Sequence, residues 1–198
     1  MRTILALAIT MGLVPVFPAR AEPHTYKLDP AHTYVSFAAP HVQAISWWRG
    51  KFDRTQSGAV TVDPAAKTGS IEVVIDATSI DTGDEKLNEH LRSPDFLDAK
   101  QYPTATFKST SIQFTGDRPV SANGELTLHG ITHPVTLTIN EFKCIPDFMM
   151  QGMQRCGADA SAVIDRTQWG VNAYANMTGK EVRLAIQVEG LTPLTKSP

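Results

Sequence analysis

No stretch of this 198-residue chain gathers positive charge. Its 18 Lys and Arg are outnumbered by 20 acidic residues and lie scattered. That excludes the basic footprint of a nucleic-acid binder and the polybasic cluster that an anionic membrane surface attracts. The patterns G-x-S-x-G, H-E-x-x-H, G-x-x-x-x-G-K-[ST] and G-x-G-x-x-G are all missing. With them go the usual sequence signatures of a nucleophile elbow, a zinc protease site, a phosphate loop and a dinucleotide fold. No catalytic residue, metal ligand or cofactor is therefore assigned. After the N-terminal segment, no apolar run approaches the roughly 18 residues that read as a membrane span. Cysteine is limited to Cys144 and Cys156.

The N-terminal segment has the form of an export signal: Arg2, an apolar run from Ile4 to Phe17, then Ala19-Arg20-Ala21 as an A-x-A cleavage site. Cleavage after Ala21 is expected, so residues 1–21 are set aside and 22–198 form one domain. The expected compartment is the periplasm. In an exported chain an even cysteine count favours a disulfide, here Cys144–Cys156. The alternative is a metal pair, which no CxxC or neighbouring histidine supports.

Most of the remaining sequence reads as strand. Ile71, Val73 and Ile75 alternate with polar neighbours, as do Val135, Leu137 and Ile139, and Val182, Leu184 and Ile186. This is the pattern of half-buried antiparallel strands. The apolar parity switches between Phe107 and the pair Ile112/Phe114, which predicts a bulge near 109–111. Trp47 and Trp48 are adjacent, so one points inward and the other outward. Gly50 predicts a bulge or a close backbone approach. One segment differs. Thr82-Gly83-Asp84-Glu85 fits a capping box with Thr82 as the cap. Leu87 and Leu91 share a helix face, and Ser93-Pro94 stops the helix. The predicted architecture is all-β, an antiparallel barrel or a sandwich with a helical insert near residues 83–98. Long strands and tight connections favour an up-and-down barrel.

Several polar groups leave alternatives open. His129 and His133 flank a Gly130 turn and could clamp a metal or simply decorate a hairpin. Asp29, His32, His41 and Arg49 lie near an apolar strand and motivate an enzyme acting on a lipophilic substrate inside a barrel. Phe148, Met149, Met150 and Met153 could form a soft copper site. Together with the cysteines they motivate a metal or redox stress protein. The reading preferred here is an apolar loop that covers a cavity mouth or makes a dimer contact.

Taken together, YKLDPAHTYVSF, His41 with SWWRGKF, IDTGDEKLNEHLRSPDFLDAKQYPTATFKST, GELTLHGITHPVTL, DRTQWGV and VRLAIQVEG resemble the YceI-like family, lipocalin-like polyisoprenoid-binding proteins of bacteria. The resemblance covers essentially all of 22–198. It departs in a His41-to-Ser46 spacing one residue longer than is common and in Trp169, where phenylalanine is usual. It implies an extended eight-stranded antiparallel barrel around a lipophilic tunnel, and a periplasmic carrier or sequestering protein rather than an enzyme. It also implies links to stress responses or quinone metabolism, and frequent homodimers. The ligand it implies is a polyisoprenoid, an isoprenoid quinone or a similar lipid. On that reading Phe37, His41, Trp48, Phe52, Ile75, Leu87, Phe107, Leu137 and Leu184 line the ligand. His41, Arg49 or the amides at the Thr82 helix start meet its head group.

Overall fold

The computed structural model describes residues 23–194; the expected signal segment lies outside them. In chain order the strands are β1 (His24–Leu28), β2 (Tyr34–His41), β3 (Ser46–Phe52), β4 (Thr55–Asp63), β5 (Thr68–Asp76) and β6 (Ile80–Asp81). Helix α1 (Glu85–Arg92) follows. Then come β7 (Thr104–Thr115), β8 (Arg118–Leu128), β9 (Ile131–Pro146), β10 (Met153–Asp165), the single-turn α2 (Ala175–Thr178) and β11 (Glu181–Pro193). Sheet order is β1-β4-β5-β7-β8-β9-β10-β11, and β1 pairs again with β11 through Lys27–Leu191 and Leu28–Gly190. This second pairing closes an eight-stranded antiparallel barrel and removes the sandwich alternative. Closure also leaves no open sheet edge in the ring.

The first three staves of the barrel are broken at one level. β1 runs on into β2 after a 3-10 turn at Pro30–His32, β3 into β4 across Asp53-Arg54, and β5 into β6 after a 3-10 turn at Ala77–Ser79. Beyond the break, β2, β3 and β6 continue as a flap hydrogen-bonded to β11 through β2. Local bonds replace the missing ladder. Thr55 Oγ1 donates to Thr33 O (2.9 Å), Arg54 N to Ser79 Oγ (3.0 Å), and Arg54 Nε to Asp76 Oδ2 (2.9 Å). The carbonyl of Thr33 and the amide of Arg54 thus find side-chain partners, while the amides of Asp53 and Asp76 donate to Ser79 O and Arg54 O. Thr33 itself is 2% exposed.

The parity switch on β7 has the cause the sequence suggested: the β7–β8 register shifts between Ser109 and Ser111. A second shift, at Asp159/Ala160 against Asn140, moves the inward face of β9 from Ile139 to Phe142. Both bulges keep apolar side chains inside a strongly curved wall.

The helix start differs from the capping box. Gly83 turns at φ 79°, and Asp84 is the cap, accepting from Lys86 N (3.0 Å) and Leu87 N (3.4 Å). The amide and hydroxyl of Thr82 both donate to Asn88 Oδ1 at 2.8 Å. Glu85 pairs with Arg92 instead of reaching back to Thr82. The left-handed turn at Gly83 delays the helix by two residues. Asn88, buried one turn inside, takes over the bonds that Glu85 was expected to make.

Candidate functional site: an apolar tunnel with one polar end

Inside the barrel lies a cavity of about 710 Å³, within the range of small-molecule and cofactor pockets. Its wall is built by strand alternation. β5 supplies Ile71, Val73 and Ile75, β9 supplies Val135, Leu137 and Ile139, and β11 supplies Val182, Leu184, Ile186 and Val188. At about 3.3 Å per residue, the span from Val182 to Val188 makes a passage of roughly 20 Å, shorter than the full strands would allow. Its far end meets packed side chains: Tyr26, Val62 and Cys156 with Phe114, Phe142 and Cys144. Tyr26 Oη donates to Gln154 Oε1 there at 2.8 Å.

Two glycines keep the wall thin. A Cβ on Gly50 would stand 2.7 Å from Phe37 Cζ, and one on Gly124 would stand 2.5 Å from Phe107 Cζ. Each phenyl ring therefore lies against bare backbone on the neighbouring strand rather than filling the lumen. This is the close approach expected at Gly50.

The near end is made by α1, the Ser93–Leu97 turns, α2 and the β2–β3 hairpin. Leu87 and Leu91 face the cavity from one side of α1, with Phe96 and Leu97 beside them. Phe96 stacks on Tyr174 with centroids 6.1 Å apart, and His90 meets Phe96 edge-on at 5.0 Å. The hairpin is tied to α2 by Gln43 N donating to Met177 O at 2.7 Å. Val42, Trp48, Tyr174 and Met177 line the cavity and are exposed, so the opening lies among them.

Nearly all polar lining groups gather at this end: His41, Asp84, His90, Arg166, Tyr174 and Thr178. Arg166 dominates it. The residue is 8% exposed, and its guanidinium donates to Val171 O (2.7 Å), Ala173 O (2.8 Å), Gly179 O (3.1 Å) and Thr178 Oγ1 (3.2 Å). Its charge centre also lies 5.7 Å from the Phe96 ring centroid. None of the ion pairs among the described residues includes Arg166. Burial lowers its pKa, opposed by neighbouring Asp165. The side-chain and backbone oxygens that hold this cation are carbonyls and a hydroxyl, not a carboxylate.

Phe37, Trp48, Phe52, Ile75, Leu87, Phe107, Leu137 and Leu184 all face the cavity, and His41 stands at its opening, 6.0 Å edge-on to Trp48. Arg49 does not. Strand alternation turns it to the outer surface, where Nη1 donates to Trp47 O at 3.3 Å. Trp47 also faces out, beneath the Arg183 guanidinium at 4.0 Å. The amides at the helix start are occupied as well, Thr82 by Asn88 and Lys86 and Leu87 by Asp84. Arg166 is the functional candidate that sequence reasoning passed over. It reads as a turn residue, and its burial depends on carbonyls from 171–179 that fold over it.

Other groupings disperse. His32 pairs with Asp29 (2.9 Å), and Asp29 with Arg155 (3.0 Å), outside the cavity and apart from His41 and Arg49. His129 Nδ1 donates to Trp169 O (3.0 Å) and His133 Nε2 to Gln168 O (2.9 Å), so both rings are spent on one backbone turn. Phe148, Met149 and Met150 do not cover the mouth. They sit on the β9–β10 turn at the far end, because β9 runs away from the opening and the antiparallel β10 returns toward it. Cys144 and Cys156 face each other in the β9–β10 ladder and form a disulfide. No helix among the described residues is long and apolar enough to cross a membrane.

Comparison with known proteins gives one family. A YceI-like domain matches residues 26–190. Protein YceI of Escherichia coli O157:H7 is 35% identical, covering 93% of this chain and 96% of that protein. UPF0312 protein PA0423 of Pseudomonas aeruginosa is 30% identical, covering 96% and 97%. The crystal structure of Burkholderia cenocepacia BcnA superposes with TM-score 0.66 at 28% identity, over 82% of this chain and 98% of that one. A polyisoprenoid binding domain from Saccharophagus degradans shares the fold with TM-score 0.61 at 16% identity, over 85% and 98%.

Proposed function

The chain belongs to the YceI-like family, and from that premise and its tunnel we propose that it binds the long tail of a polyisoprenoid, an isoprenoid quinone or a similar lipid in the barrel, as a periplasmic carrier or sequestering protein. The observation that carries this is the lumen: about 710 Å³, mostly apolar along its length, with most of its polar lining groups at one end. A Saccharophagus degradans domain of the same fold is described as polyisoprenoid-binding. The disulfide suits an oxidising compartment such as the periplasm.

The energetics favour tails over heads. At about 0.8 kcal/mol per buried methylene, a dozen such groups give on the order of 10 kcal/mol gross, of which chain ordering takes back a sizeable share. Selectivity among tails of similar length is loose. A polar or anionic head stays at the mouth, since an unpaired buried charge is costly. There it meets the field of Arg166 and the side chains of His41 and Tyr174. The reading is of binding without chemistry, since Asp29, His32, His41 and Arg49, which would have carried an enzyme, are dispersed. No cofactor is called for beyond the lipid itself.

The test is to fill the lumen. Ala160 lies on the cavity wall, 7% exposed. Ala160→Phe is expected to weaken uptake of a fluorescent long-chain acyl probe at least tenfold while the far-ultraviolet spectrum stays that of the wild type. Unchanged uptake by the folded variant contradicts the reading.

A further inference from the structure

The opening is ringed by apolar side chains that face water. Ile45, at the hairpin tip, is 79% exposed, Met177 57%, Tyr174 50%, Trp48 40% and Val42 38%. They come from segments far apart in sequence, held in one rim by the Gln43–Met177 hydrogen bond. The hairpin tip also carries Gln43 and Ala44 at φ 51° and 60°, and Tyr174 stands at φ 55°. Non-glycine residues adopt this left-handed region at a cost, and the segments they shape expose Ile45, Val42 and Tyr174 to water.

We propose that this rim seats the tunnel mouth on the surface of a lipid bilayer, where the bound tail is exchanged. The proposal rests on the reading that the tunnel holds a lipid tail. Three observations select a bilayer over another occupant. The rim is continuous with the cavity, so a tail leaving over Val42, Trp48, Tyr174 and Met177 enters the bilayer without crossing water. The rim is also small. Taking roughly 150–250 Å² for each large aromatic side chain, these partly exposed groups offer on the order of 500 Å², short of the about 800 Å² per partner in a standard protein interface. Behind the rim, Trp47 stacks under Arg183 at 4.0 Å, with Arg49 adjacent. An amphipathic aromatic ring with arginines suits the head-group layer. With no basic cluster, binding is driven by the apolar tip and changes little with salt.

The test is flotation of the full chain with phosphatidylcholine vesicles, beside solution binding of a fluorescent acyl probe. Ile45→Asp is the variant of choice because Ile45 does not line the cavity. It is expected to lower vesicle binding about tenfold or more and to leave probe binding unchanged. A Phe148→Ser/Met149→Ser variant, altered at the closed end, is expected to float as the wild type does. The proposal is overturned if Ile45→Asp floats normally, or if the closed-end variant is the one that is lost. It is overturned too if the wild type is a dimer that Ile45→Asp splits with vesicle binding unaffected. Failure of the wild type to bind the acyl probe would instead defeat the lipid reading itself.

Discussion

Phe107 lies across Gly124: a Cβ built on that glycine would stand 2.5 Å from the ring's Cζ and 2.5 Å from the Lys108 carbonyl oxygen. The ring occupies space that a side chain would otherwise take, so the lumen beside it stays open. Gly124→Ala should push Phe107 toward the cavity axis and strain the β7–β8 ladder. Overpacking of this kind costs about 1–3 kcal/mol. The expected outcome is a lower denaturant midpoint together with weaker acyl-probe binding, measured on the same preparation.

Arg49 and Arg166 should separate cleanly. Arg49→Ala removes an outward side chain whose polar contact is to Trp47 O, and probe binding is expected to stay within about twofold, since surface changes away from such features matter little. Arg166→Met strips the bonds from the carbonyls of Val171, Ala173 and Gly179. Leaving buried acceptors unpaired costs about 1–3 kcal/mol each. Faster amide exchange across 171–180 and altered head-group preference are the expected readouts.

Arg155 binds Asp147 (2.7 Å), Asp29 (3.0 Å) and Glu189 (2.9 Å), joining the first turn, the β9–β10 turn and β11. Arg155 and the amides of Met150 and Met149 hold the Asp147 carboxyl below its usual range. Asp29 is lowered too, first by His32 and then by Arg155. A carboxyl depressed in the folded state contributes stability that is complete above its unfolded pKa, near 3.9, and lost as pH falls through the folded value. Thermal midpoints measured between pH 6 and pH 2 should therefore drop below about pH 4. The drop should shrink in Arg155→Met.

Reducing Cys144–Cys156 should cost stability without opening the barrel. The two residues are already opposed in a ladder that runs from Gln154–Pro146 to Ser161–Thr138. The chain-entropy model puts a loop of this size at about 3 kcal/mol. Chemical denaturation with and without reductant is expected to show a single shifted transition of that order at most.

Much of this was legible in the sequence. Alternation at Ile71, Val73 and Ile75 and at Leu184 and Ile186 placed the inward face correctly. The parity switch beyond Phe107 located the bulge, because a period of two admits no other way to keep both halves inside. What was missed depends on contacts between distant segments. The Thr82 capping box satisfies a four-residue pattern, but Gly83 turns the chain and Asn88 reaches back from the next turn. Arg49 was a head-group candidate, although strand alternation turns it to the face opposite Trp48. Arg166 gave no local signal, since the carbonyls around it come from 171–179. The methionine turn reads as a cover for the opening until strand direction shows that β9 and β10 carry it to the closed end.

The central claim is that the lumen holds a lipid tail, and the most direct measurement is mass spectrometry of an organic extract from protein purified without detergent, wild type beside Phe107→Asp. The account predicts a long-chain isoprenoid or similar lipid in near-stoichiometric amount from the wild type and none from the folded variant. A folded wild-type protein that yields no lipid, or equal recovery from both, would contradict it.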